Sequence, residues 1–106
     1  MKNKKMGFEY KSVQINIDEA EKIAISALGF LGQDEERLTI FLGETGVNPA
    51  HLRELAGTHE FLVSVLDYLL LDESLLLVFT SENSIDPEMI APARNTLSGK
   101  RGYESM

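Results

Sequence analysis

"FLGQDEERLTIFLGETGVNPAHL" (residues 30–52) lies over "YLLLDESLLLVFTSENSIDPEMI" (residues 68–90) without a gap, at an offset of 38 residues. Extending the overlay to 18–55 against 56–93 gives nine identical positions: Ser26/Ser64, Leu28/Leu66, Leu31/Leu69, Asp34/Asp72, Glu35/Glu73, Leu38/Leu76, Phe41/Phe79, Glu44/Glu82 and Pro49/Pro87. Others are alike in kind, among them Ile23/Phe61, Phe30/Tyr68, Ile40/Val78, Val47/Ile85, Asn48/Asp86 and Leu52/Ile90. Internal periods of about 20–50 residues usually mark stacked helical units. Two copies are too few for a solenoid. The expected fold is therefore all-α: a compact bundle of five or six helices built from two pseudo-symmetric three-helix repeats.

The repeat also sets the expected elements. Ile23, Ala24, Ala27, Leu28 and Leu31 recur at helical spacing, so a first helix is expected over about 18–31. Asn16 followed by Glu19 forms a capping box for it, and Gly32 is expected to break it. A second helix starts near Asp34 and ends at Gly46, where glycine accepts the left-handed turn. A third opens with Asn48 as cap and Pro49 at its first position. The second copy should give helices over about 59–71, 73–82 and 87–97. The first two of these could fuse, because no glycine stands where Gly32 does. "YKSVQINI" (10–17) alternates like a strand but has no partner, and is expected to be an extended arm.

The 106 residues make one domain: an extended basic arm (1–17), a helical domain (18–97, with repeats 18–55 and 56–93) and a flexible tail (98–106). The net charge of −7 is unevenly spread, since residues 18–97 hold fifteen acids and four bases and the ends hold six bases and two acids. An acidic body repels phosphate backbones. Without cysteine there is no disulfide, zinc–thiolate or thiol chemistry. The longest apolar stretch, 62–79, contains Asp67, Asp72 and Glu73. Each would cost about 2.5–3.5 kcal/mol at a bilayer centre, so it is expected to be a buried segment rather than a span. No apolar run of signal-peptide length follows the basic N-terminus, and the expected location is the cytoplasm.

Three groups of residues are candidate sites. "GETGVNPAHLRELAG" (43–57) has the outline of a helix-turn-helix, with Leu42, Gly46, Val47, Leu52 and Leu55 at the right offsets. Its would-be recognition helix offers His51 and Arg53 as DNA contacts, a single certain cation where several phosphate contacts are needed. His51 and Glu54, at i and i+3, are a weak metal pair, and the second copy supplies only Met89 and Pro92 at the equivalent places. The repeated Asp34-Glu35 and Asp72-Glu73 pairs could form a carboxylate cluster, but acids in the first turn of a helix also offset its dipole, and capping is the favoured role. No nucleophile or phosphate cradle accompanies them. The expectation is no enzyme, no cofactor and no metal.

Differences between the copies point elsewhere. Gly32, Gln33, Arg37 and Thr39 of the first copy are replaced by Leu70, Leu71, Leu75 and Leu77 in the second. Helices that are apolar nearly all round are central or oligomeric. These four leucines are the candidate interface, covered either by the arm (Phe8, Tyr10, Val13, Ile15) or by another molecule.

Phe41-Leu42 followed by Thr45-Gly46, the Pro49 helix start, and the Leu66-Asp67 to Asp72-Glu73 stretch resemble a family of small bacterial proteins, domain of unknown function 3572, over about residues 18–97. The resemblance implies a small helical protein. It implies no activity, cofactor or site. The expected function is a non-catalytic cytoplasmic interaction protein that forms a homodimer or binds a helical partner. The alternative is a helix-turn-helix regulator, and the third choice a carboxylate/histidine metal site.

Overall fold

The computed structural model describes residues 15–99, all of whose regular structure is helical. Six α-helices follow in order: α1 (Ile17–Gly32), α2 (Glu35–Thr45), α3 (Leu52–Leu55), α4 (His59–Leu70), α5 (Glu73–Glu82) and α6 (Ile90–Ser98). Short 3-10 turns, Pro49–His51 and Pro87–Met89, lead into α3 and α6. The arm, apart from its last residues, lies outside the described residues, as does the tail beyond Gly99.

Helix boundaries follow from side-chain caps. Asn16 Oδ1 accepts from the Glu19 N–H at 2.8 Å and opens α1. Asp34 accepts from the Glu36 and Arg37 N–H groups and opens α2, and Asp72 accepts from the Leu75 N–H at 3.1 Å and opens α5. Asn48 and Asp86 each accept at 2.9 Å from the N–H two residues on, ahead of the two 3-10 turns. A cap satisfies donors that the first turn leaves free.

Three expectations need correction. Gly32 is the last residue of α1 in ordinary helical conformation, with open space around the position of a Cβ. The chain breaks there because Asp34 caps a new helix, and Asp72 does the same at the end of α4. That is why α4 and α5 are separate although no glycine lies between them. The proline after Asn48 starts a 3-10 turn rather than an α-helix, and α3 keeps a single turn while its second-copy counterpart α6 has nine residues.

Both α2 and α5 end in a left-handed residue, Gly46 at φ 75° and Ser84 at φ 56°. The N–H groups just beyond, of Val47 and Ile85, donate to Leu42 and Thr80 carbonyls five residues back, at 3.2 and 2.9 Å. That is the Schellman closure. Val47 and Ile85 then turn inward and pack against the core.

Ala20, Ala24 and Ala27 line the buried face of α1 with no exposed area. Small side chains at a helix contact bring the axes closer, and α1 packs against both α4 and α6. Phe41 and Phe79 are fully buried, with Leu31, Leu66, Leu69 and Ile90 among the large side chains around them. Phe79 meets Phe30 with ring centroids 5.4 Å apart, and Phe41 meets Tyr68 at 5.0 Å and Phe61 at 5.9 Å. α6 lies antiparallel to α4. Arg94 Nε donates to Asp67 Oδ1 at 2.7 Å, and Leu97 and Ser98 line a cavity with Glu60 and Val63 further back along α4. Thr96 Oγ1 donates to the Ile15 carbonyl at 3.2 Å, which fixes the root of the arm beside α6.

Candidate interaction surface

Where α4 turns into α5, the inward and outward faces separate sharply. Leu69, Leu76 and Phe79 point into the core. On the outside, Leu70 is 39 % exposed, Leu71 88 %, Leu77 45 % and Val78 43 %. Leu71 sits in the one-residue corner between the last turn of α4 and the Asp72 cap, so its side chain has no helix neighbour to fold against. Leu77 and Val78 lie with Ser74 and Ser81 at i, i+3, i+4 and i+7 spacing on the outer face of α5, and all four are exposed.

Of the four leucines singled out from the sequence, Leu70, Leu71 and Leu77 are therefore on the surface. Leu75 is not: it is half-buried and packs against the core. Its counterpart Arg37 is also half-buried, its guanidinium carbon 4.7 Å from the Phe30 ring centroid. Arg37 covers an aromatic ring with a cation, whereas Leu75 is an alkyl group packed against the core. Val78 was missed because Ile40 occupies the equivalent place, and a position apolar in both copies reads as core. Ile40 and Val78 are in fact both exposed.

The charge around this corner is of one sign. From Glu54 to Ala93 the sequence has eight acids and no lysine or arginine. Asp67 is one turn before Leu70 and Leu71, Asp72 and Glu73 follow Leu71 directly, and Glu82 is one turn beyond Val78. Tyr68, half-buried beside Phe41, has its hydroxyl pKa raised by burial first and then by the negative charge of Glu44 and Asp72, against a smaller opposing effect of Arg37. The Arg94 guanidinium is held charged above its ordinary range mainly by its hydrogen bonds to Asp67.

The other candidate sites are dispersed. His51 and Arg53 are both exposed, in the 3-10 turn and in the single turn of α3. Four residues of helix extend only about 6 Å, so α3 presents a short edge where a recognition helix would need a face. Glu54 is exposed beside them. Asp34 and Asp72 act as caps. Among the described residues, no three histidine or carboxylate side chains come together in a group that could hold a metal ion. No described helix is long and apolar enough to cross a membrane.

A family model described as "Protein of unknown function (DUF3572)" matches residues 17–100. No curated protein and no solved structure matches the chain.

Proposed function

The chain belongs to the DUF3572 family, and on that premise we propose that it is a non-catalytic interaction protein of the cytoplasm, which offers the α4–α5 corner to a helical protein surface, that of a second copy or of another protein. The observation that carries this is Leu71, 88 % exposed between Leu70 and the Leu77–Val78 face. Leaving a leucine in water forgoes about 1.5–3 kcal/mol of burial, and four large apolar side chains left exposed within nine residues of a small domain support an interface there. The first copy has no such patch at Gly32, Gln33 and Thr39, so the repeat does not require it.

Two pseudo-symmetric halves are part of the same proposal. Exchanging residues 38 apart turns the Phe30–Phe79 contact into the Tyr68–Phe41 contact, and both exist. The paired caps, Asp34 with Asp72 and Asn48 with Asp86, and the paired Schellman closures support it further. The third helices depart from it: α6 packs across both α1 and α4, a place α3 is too short to take.

Sedimentation tests the interface. Corner-to-corner pairing would bring like charges together, so association should strengthen with salt. A dimer population is expected at tens of micromolar protein in about 0.5 M salt, where the Debye length is only a few ångströms. Leu71→Lys with Leu77→Lys should abolish it with helicity retained. A chain that stays monomeric at every salt concentration, and after removal of residues 1–14, overturns self-association.

A further inference from the structure

We propose that the outer face of α5 docks an amphipathic helix of another protein, one whose apolar stripe is flanked by lysine or arginine. This rests on the corner being an interface, and it chooses between the two occupants that reading allows.

The face is defined by the helix that carries it. Leu76, Phe79 and Thr80 are buried and turn one side of α5 to the core. Ser74, Leu77, Val78 and Ser81 are exposed at i, i+3, i+4 and i+7, on the opposite side. From Ser74 to Ser81 is two turns, about 10 Å. A docking helix anchored at i, at i+3 or i+4, and at i+7 has the same span. Leu77 and Val78 stand in the middle, and the small Ser74 and Ser81 at the ends let a second helix come close. Leu71 is exposed just ahead of the Asp72 cap that starts this helix.

The flanks indicate what the second helix carries. Glu73 is one turn from Leu77, and Glu82 is one turn from Val78. The two acids are nine residues apart, about two and a half turns, so they border the face on opposite sides. Both are exposed, and neither has an ion pair among the described residues. No lysine or arginine lies between Glu54 and Ala93 to neutralise them locally. In packed helix pairs the residues bordering the apolar seam select the partner by charge. A second copy of this face would bring four carboxylates around one seam with no cation, and like-charge juxtaposition across an interface is unfavourable. A helix with cations on both flanks pairs with Glu73 and Glu82 while its apolar stripe covers Leu77 and Val78.

The probe is a synthetic peptide of about three heptads, with leucine on one stripe and lysine on both flanks, compared with the same peptide carrying glutamate for lysine. By fluorescence anisotropy the full chain is expected to bind the lysine peptide in the micromolar range, at least about tenfold tighter than the glutamate peptide, with amide shifts along α5. Binding should weaken in about 0.5 M salt, whereas association of two copies strengthens. Glu73→Lys with Glu82→Lys should reverse the preference between the peptides, and Leu77→Ser with Val78→Ser should remove binding of both. Glu54→Lys with Glu60→Lys, exposed sites in α3 and at the far start of α4, should leave the preference in place. An unchanged preference in the Glu73 and Glu82 variant, or an equal loss in the Glu54 and Glu60 variant, would reduce the binding to overall charge and overturn the proposal. So would equal binding of the two peptides, or binding that appears only after residues 1–14 are removed, which would give the face to the chain's own N-terminal segment. A chain that ignores both peptides and still pairs through Leu71 and Leu77 would overturn the basic partner and leave the interface standing. One that does neither removes both.

Discussion

His59 Nε2 lies 2.5 Å from Glu21 Oε2, and the two residues are 38 apart, so each occupies the other's place in the opposite copy. The pair joins the starts of α4 and α1. Both side chains are about two-fifths exposed, and exposed pairs contribute little. A double-mutant cycle with His59→Ala and Glu21→Ala, followed by urea unfolding, should give a coupling below about 1 kcal/mol. A coupling several times larger would mean that this contact, rather than the aromatic pairs, holds the halves together.

Ser84 adopts φ 56° where its counterpart is Gly46 at φ 75°. A side chain in the left-handed region costs about 1 kcal/mol relative to glycine. Ser84→Gly should stabilise by about 0.5–1 kcal/mol and Gly46→Ala should destabilise by about 1 kcal/mol. Thermal unfolding of the two variants checks both signs at once.

If Asp34 and Asp72 are what interrupt the helices, replacing either by alanine should cost about 1 kcal/mol. Gly32→Ala should do the opposite. Its Cβ would meet nothing and α1 would exchange a glycine for a better helix former, a gain of about 0.5–1 kcal/mol. A Gly32→Ala variant that loses stability would restore the glycine as the breaker.

Tyr68 makes the fold sensitive to alkali. Its pKa is raised in the folded state by burial, Glu44 and Asp72. The folded chain thus holds the phenolic proton longer than the unfolded chain does. This contribution to stability is complete below the unfolded pKa of about 10 and is lost as pH rises through the folded value. Unfolding followed from pH 8 to 11.5 should show a decline above about pH 10 that is smaller in Tyr68→Phe.

Much of this architecture was legible because its instructions are local. Asn16, Asp34, Asn48, Asp72 and Asp86 act on N–H groups two or three residues away, so spacing alone located the starts of α1, α2 and α5 and of the turns that lead into α3 and α6. What the sequence hid depends on neighbours in space. Arg37 reads as a solvated charge, yet it lies over Phe30. Leu75 reads as surplus hydrophobe, yet it is half in the core. Val78 reads as core by comparison with Ile40, yet both face outward. The 3-10 geometry after Pro49 and Pro87 was hidden too, because a capped proline start looks the same for either helix type. The corner was visible only as a difference between copies, and its exposure needed the turn at Leu71.

The hydrogen bond from Thr96 to the Ile15 carbonyl brings the first and last described segments side by side. The two ends of the described chain therefore lie close enough for a linker to join them. A circular permutant that opens at Gly57 and joins the old ends through a short linker would keep both aromatic contacts and carry the leucine half before the glycine half. In such a chain the lysine-rich segment stands in the interior of the sequence, joined to the rest at both ends.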